Sequence, residues 1–388
     1  MTAIRHRQAS DPKVIAIVGC DPSAPGGISR VIELVLGSAL ARAWCLVMVP
    51  TWVAGSRGRR IVAYLKALGR VWALAAGGRL QAAHLHMAAR GSFWRKWLLS
   101  LPLPTLGVPY IVHIHDGSLP DWHAACSRHT QQRFAHFLER AGAVIALSPA
   151  WVNTLKPLAP RANWVAIANP VVAPDPWGHQ ARPHHTRAAP GPLRPEDIRG
   201  SVLFLGRLRL EKGLDDLLCA ARLLKTVSPH VTWHLAGDGD LQAVQERISD
   251  GCLGDVVRLR GWLDGQEKRT ALAQADLLVL ASHAEGQPMA VLEAMAWGIP
   301  VVASKVGDVA QLLACGAGLV IPVGDPHALA QAVQSVLASP DRARHMGQLG
   351  REYVLKHHSV DGMVSKLDHL YRGLGLSATI SAASTAKG

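Results

Sequence analysis

Through the first 170 residues, short runs of apolar and β-branched residues alternate with longer stretches whose apolar positions recur at helical spacing. The short runs predict strands at 13–19 (KVIAIVG), 45–50 (CLVMVP), 80–87 (LQAAHLHM), 109–115 (PYIVHIH), 143–148 (AVIALS) and 164–169 (WVAIAN). Between most of them lies enough chain for a helix, as in ISRVIELVLGSALA after Gly27. The pattern then breaks, because residues 171–200 hold many prolines and few large apolar residues and read as a linker or exposed loop. A second series follows at 201–206 (SVLFLG), 231–237 (VTWHLAG), 256–261 (VVRLRG), 276–282 (DLLVLAS), 299–304 (IPVVAS) and 318–322 (GLVIP). Strands that are apolar throughout and separated by helices belong to parallel sheets covered on both faces. The expected class is therefore α/β, with a domain at 1–170, the linker at 171–200 and a second domain at 201–355. A helix at 356–375, expected to return to the first domain, and a flexible tail at 376–388 complete the chain.

Length agrees with two cores: 388 residues exceed one domain of typical size. No run of about 18 apolar residues offers a membrane span. WLLSLPLPTLGVPYIV, from Trp97, is interrupted by Pro102, Pro104 and Pro109, and VIAIVG near the N-terminus is too short for a signal-peptide core. A cytoplasmic location is expected. The six cysteines show no CxxC pair and read as reduced thiols. The formal net charge of +13 is unevenly placed: residues 1–180 hold 19 Lys and Arg against 7 Asp and Glu, and the remainder holds 22 against 21. The first half thus calls for an anionic partner, nucleic acid or a membrane surface. No nucleic-acid module is recognisable, so none is expected as a partner. ARGSFWRKWLLS, in which Arg90, Arg95 and Lys96 alternate with Phe93, Trp94, Trp97 and Leu98, instead predicts a basic-aromatic face for lipid headgroups, or else an ordinary surface helix packing its aromatics inward.

Loops after the strands are where doubly wound sheets bind ligands. In SHAEGQPMAVLEAMAWGIPVVAS, from Ser282, a helix is predicted from Pro288 to about Trp297. The N–H groups around Gly286, Gln287 and Met289 suit an anion such as a phosphate. Glu285 and Glu293, which only accept hydrogen bonds when ionised, suit sugar or ribose hydroxyls on its two sides, or are plain helix charges. Arg207 and Lys212, on the loop after SVLFLG, can meet a diphosphate or stay solvated. Gly237 and Asp238 make a tight turn near a ligand, and Gly261 in RGWLDG offers main chain to a flat ring. In the first domain, Gly26 and Gly27 precede a helix and let backbone approach an acceptor or phosphate. His84 with His86, and His113 with His115, each share one face of a strand. A metal site, a structural role and, for His115, a ligand contact remain alternatives.

Taken together and in order, these stretches resemble the GT-B glycosyltransferases of the large retaining family 4. FLGRLRLEKGLDDLLCA, LAGDGD, VVRLRGWL, DLLVLASHAEGQPMAVLEAMAWGIPVVAS and GLVIPVGDPHALAQAV carry the resemblance in the second domain. PSAPGGISRVI, HLHMAARGSFWRKW and VHIHDGS are similar to exopolysaccharide and lipid-linked-oligosaccharide transferases in the first. The resemblance implies two Rossmann-like domains facing across a cleft, with a nucleotide diphosphate sugar, UDP- or GDP-linked, as donor. It implies that Glu285 lies near the donor sugar, that Glu293 binds the ribose, and that Arg207 and Lys212 neutralise the leaving diphosphate, so that no metal or other cofactor is expected. It gives His115 the donor sugar and Gly27 the acceptor side. The acceptor it implies is a glycan or lipid-linked oligosaccharide, and the basic first domain then suits the anionic inner membrane surface. Two stretches depart from the family pattern. GDVAQ has Asp308 for a glycine and Gln311 for a glutamate, and HDGSLPDW replaces an aromatic-containing loop. Alternatives are a non-catalytic scaffold for polysaccharide assembly, and an epimerase or phosphorylase on the same fold.

Overall fold

A computed structural model describes residues 12–174 and 194–378. Most of the expected linker and nearly all of the expected tail lie outside the described residues. The chain divides into two units, one reaching Ile167 and resuming at Val360, the other running from Ala168 to Ser359.

In the first unit, six strands form one parallel sheet: β1 (Val14–Cys20), β2 (Leu46–Trp52), β3 (Leu80–Met87), β4 (Tyr110–Ile114), β5 (Ala143–Ala146) and β6 (Trp164–Ala166). Their order is β2-β1-β3-β4-β5-β6. The apolar runs explain it, since Ile15, Ala16, Ile17 and Val18 of β1 are completely buried and so fill both faces of the sheet. Helix Val360–Gly373 joins this unit through Trp44 Nε1, which donates to Asp368 Oδ1 at 2.9 Å, and through Tyr371 Oη at 2.7 Å from His84 Nδ1.

The second unit repeats the plan with β7 (Arg199–Leu205), β8 (His230–Ala236), β9 (Val257–Gly261), β10 (Leu277–Leu280), β11 (Val301–Ser304) and β12 (Gly318–Ile321), in the order β12-β11-β10-β7-β8-β9. Each sheet therefore changes winding direction once, the first between β1 and β3 and the second between β7 and β10. Loops leaving the carboxyl ends of such a strand pair go to opposite sides and open a crevice. Both units are α/β with doubly wound parallel sheets, as the alternation predicts.

The basic-aromatic helix follows the second of its two readings, an ordinary helix with an aromatic packed inward. Gly91–Ser100 is helical, but Phe93 and Lys96 are buried and Arg95 is half-buried, so its basic residues do not form a headgroup face. The aromatic anchor fixes this: Phe93 packs against Trp122, Phe134 and Phe137, and that turns Lys96, one helical turn on, inward. The exposed apolar side chains are Trp94 and Leu98, with Leu101 just beyond.

In the second unit the loops after β7, β8 and β9 are laced together by main chain. Gly206 N–H donates to Ala236 O, Leu208 N–H to Asp238 O and Gly237 N–H to Gly261 O, at 2.7–3.0 Å. Gly237 allows this approach, because a Cβ there would lie 1.5 Å from Gly206 O. Gly237→Ala should therefore lower the thermal midpoint of the second unit markedly, costing about 2 kcal/mol or more; an unchanged midpoint in scanning calorimetry would show that the loops part without penalty.

Candidate active site

Glu285 follows β10 and Lys212 follows β7, so the strand-order switch brings them together. Lys212 Nζ donates to Glu285 Oε1 at 2.6 Å, and Ser282 Oγ donates to the same oxygen at 2.7 Å. Both side chains are mostly buried. A second pair joins the helices after β9 and β10: Lys268, on helix Gly265–Gln274, donates to Glu293 Oε1 at 2.6 Å. In each glutamate one oxygen takes the cation, which leaves Oε2 to accept from a ligand hydroxyl. The helix that carries Glu293 runs Met289–Ala296, with Pro288 as its N-cap residue.

Arg207 lies on the loop after β7, 3.8 Å from Asp238 Oδ1 on the loop after β8. That contact is loose, and Asp238 Oδ1 is buried with no hydrogen-bond partner. Gly261 ends β9 with a left-handed φ of 66°. Ten of the candidate ligand-site residues belong to the second unit: Arg207, Lys212, Gly237, Asp238, Gly261, Glu285, Gly286, Gln287, Met289 and Glu293. They lie on the loops after β7, β8 and β10, at the last residue of β9 and on the helix that follows β10. His115, Gly26 and Gly27 belong to the first unit.

The side chain of Gln287 is already engaged. Its Oε1 accepts from Asn169 N–H at 2.7 Å, and its Nε2 donates to Asp308 Oδ2 at 3.2 Å. Asp308, the departure noted in GDVAQ, is buried and donates its own N–H to Gly286 O. It locks the loop that carries Glu285 against the start of the next helix. Neither Asn169 nor Lys268 stands out in the sequence: Lys268 is 25 positions from Glu293, and only the fold joins them.

In the first unit, His84, His86, His113 and His115 form a stack at the carboxyl ends of β3 and β4, with ring centroids 4.2–5.4 Å apart. His84 Nε2 lies 3.2 Å from His113 Nδ1, and His86 Nδ1 lies 2.9 Å from His115 Nε2. Nitrogens of His84, His86 and His113 come within 4.8 Å of one another. Yet His84 and His86 are 6° from parallel and His113 is within 30° of both, so their in-plane lone pairs run side by side and do not converge on one ion. Burial is the main cause that holds His84 and His115 down at about 3, with neighbouring charges adding for His115. His86 and His113 are pushed well below the ordinary range, by burial first and next by neighbouring histidines, His84 for His86 and His115 for His113. The four rings are neutral.

Neutral buried imidazoles give a pH dependence of definite sign. On unfolding they regain a pKa near 6.5, so the unfolded chain binds protons that the folded unit refuses. Their stabilising contribution is complete above about pH 6.5 and is lost as pH falls from there toward about 3. The thermal midpoint of the first unit should drop between pH 7.5 and pH 5, and His84→Gln should flatten that slope. A midpoint equally steep in the variant would remove His84 from the account.

Comparison with known proteins fits this geometry. Residues 199–339 match the family model for glycosyl transferases group 1. The amylovoran biosynthesis glycosyltransferase AmsK of Erwinia amylovora is 31% identical over 195 residues, 48% of this chain and 45% of that one. Among solved structures, sucrose-phosphate synthase from Thermosynechococcus elongatus has a TM-score of 0.75 at 23% identity, over 94% of this chain and 99% of that one. HepE from Anabaena, in complex with UDP-glucose, has a TM-score of 0.71 at 18% identity, over 92% and 99%.

Proposed function

From a chain that carries a glycosyl transferases group 1 domain on a GT-B fold, we propose a retaining hexosyltransferase of family 4. It moves a hexose from a nucleotide diphosphate sugar to a glycan acceptor, lipid-linked, in bacterial exopolysaccharide or cell-surface polysaccharide synthesis. The observation that carries the reading is the twin lysine–glutamate arrangement, Lys212 with Glu285 and Lys268 with Glu293, at the switch between β7 and β10. The bond between the sugar's C1 and the diphosphate oxygen breaks with its electron pair going to the diphosphate. Lys212, Arg207 and the first-turn N–H groups of helix Met289–Ala296 face that charge, as fixed donors aimed at a developing anion. Glu285 holds a sugar hydroxyl and Glu293 the ribose. Retention means that the acceptor oxygen bonds C1 on the face the diphosphate leaves, with the acceptor hydroxyl's proton passing to the departing diphosphate oxygen.

A UDP-linked donor is favoured, from the UDP-glucose bound to HepE, with a GDP-linked donor as the alternative. Lys212 and Arg207 supply the positive charge that a metal would otherwise bring, so transfer should persist in EDTA. Glu285→Ala and Lys212→Ala should each lower transfer by about a hundredfold or more while leaving the fold of the second unit intact. Full transfer in either variant would remove these residues from the reaction. Nucleotide-sugar binding without transfer to any acceptor would favour the scaffold, and turnover of the sugar nucleotide alone the epimerase.

The acceptor is placed at the cytoplasmic face of the inner membrane, with the protein bound there peripherally. No helix among the described residues is long and apolar enough to cross a membrane. Helix Arg57–Ala76 exposes Ile61, Val62 and Leu65 among Arg57, Arg59, Arg60 and Lys66, beside the Trp94 and Leu98 of its neighbour. Apolar side chains set among cations suit an anionic headgroup layer. Ile61→Glu with Leu65→Glu should release the protein from phosphatidylglycerol vesicles in a sedimentation assay. Equal sedimentation of the variant would contradict this face.

A further inference from the structure

The buried Lys96 has no counter-charge. It is 1% exposed, and its Nζ donates to Thr51 Oγ1 at 2.8 Å; Thr51 in turn donates to Gly19 O at 3.1 Å. An ammonium has three N–H groups, so two remain without a protein acceptor. Arg95, next to it, is half-buried, and its Nε is buried with no partner. Among the described residues no Asp or Glu pairs with either cation. The groups around the amine are Arg95, the Cys20 thiol and the neutral His86 and His115. Burial, and after it Arg95, draws the amine down to about 7.

Position adds to chemistry. Thr51 lies at the carboxyl end of β2, Gly19 and Cys20 at that of β1, and His86 at that of β3. The helix bearing Arg95 and Lys96 follows β3, and Gly26 and Gly27 follow β1. These two strands are the switch pair of the first sheet, where a doubly wound sheet takes its ligand. A buried ammonium with no counter-charge opposes folding unless it gives up its proton or something supplies the missing anion.

We propose that Arg95 and Lys96 form an anion site for a phosphate or diphosphate group on the acceptor, Arg95 by its fork of donors and Lys96 as a point charge. The inference rests on the transferase reading above and gives its acceptor a chemical class. It is separate from the donor's diphosphate, which Arg207 and Lys212 meet in the second unit.

The test measures binding, so that it does not depend on turnover. Inorganic pyrophosphate is titrated by calorimetry into full-length protein carrying Arg207→Ala and Lys212→Ala, which removes the donor's cations. Binding should persist there. Adding Lys96→Met should weaken it by roughly tenfold or more, and Arg95→Gln should weaken it too. Because Met fills the same space without a buried charge, Lys96→Met alone should keep or raise the thermal midpoint. Geranyl diphosphate binding more tightly than pyrophosphate would point to a lipid-linked phosphate, and equal binding to a soluble phosphorylated acceptor; either supports the site. No pyrophosphate binding in the Arg207→Ala, Lys212→Ala protein, or equal binding after Lys96→Met, would overturn it. So would a lowered midpoint in Lys96→Met with binding unchanged, which is the mark of a structural lysine. Loss of this site would leave the donor reading intact, since that reading is tested by transfer in Glu285→Ala and Lys212→Ala.

Discussion

The second unit is organised by the reversal of winding between β7 and β10. Strand β7 pairs with β8 on one side and with β10 on the other, and the loops that leave β7 and β10 carry opposite charges into one place. Lys212 arrives from the first loop and Glu285 from the second, 73 residues apart in the chain and 2.6 Å apart in space. The arrangement around them serves to hold that meeting point. Asp308 and Asn169 fix the Glu285 loop through Gln287, and main-chain bonds join the neighbouring loops at Gly237. Two cations and two carboxylates are thereby kept in a mostly buried setting, where each is worth more to a charged, hydroxylated ligand than it would be in water.

Much of this was legible in the sequence, for physical reasons that can be named. Strands buried on both faces leave unbroken apolar runs, and each of the twelve runs became a strand, with Leu80–Met87 matching residue for residue. The helix after β10 was equally readable from Pro288 and Gly298, and it occupies Met289–Ala296. What periodicity could not show is how loops distant in sequence meet. Lys268 lies on an unremarkable helix and reaches Glu293 only through the order of the strands. The sequence points to the Gln287 N–H as a ligand contact and is silent on its side chain, which joins Asn169 to Asp308.

The basic helix of the first unit gives the complementary lesson. Arg95 and Lys96 alternate with aromatics in sequence, and charge alone suggested a face turned to lipid. Phe93 is the stronger determinant: an aromatic cluster takes that side of the helix inward and Lys96 with it. Local pattern sets a helix's periodicity, but the packing partners that an aromatic side chain meets decide which face is buried. The four histidines show the same limit. Their strand alternation was visible, yet the burial that keeps them neutral depends on β3 lying beside β4 and, for His84, on packing against Tyr371 from the far end of the chain.

The most direct test of the central claim is calorimetric titration of UDP-glucose into the full-length protein with EDTA present, repeated with Lys268→Ala. One site per chain, independent of metal and weakened roughly tenfold in the variant, is the predicted result. Binding that needs a divalent ion, or that is indifferent to the loss of Lys268, would contradict a donor site built on the two lysine–glutamate pairs.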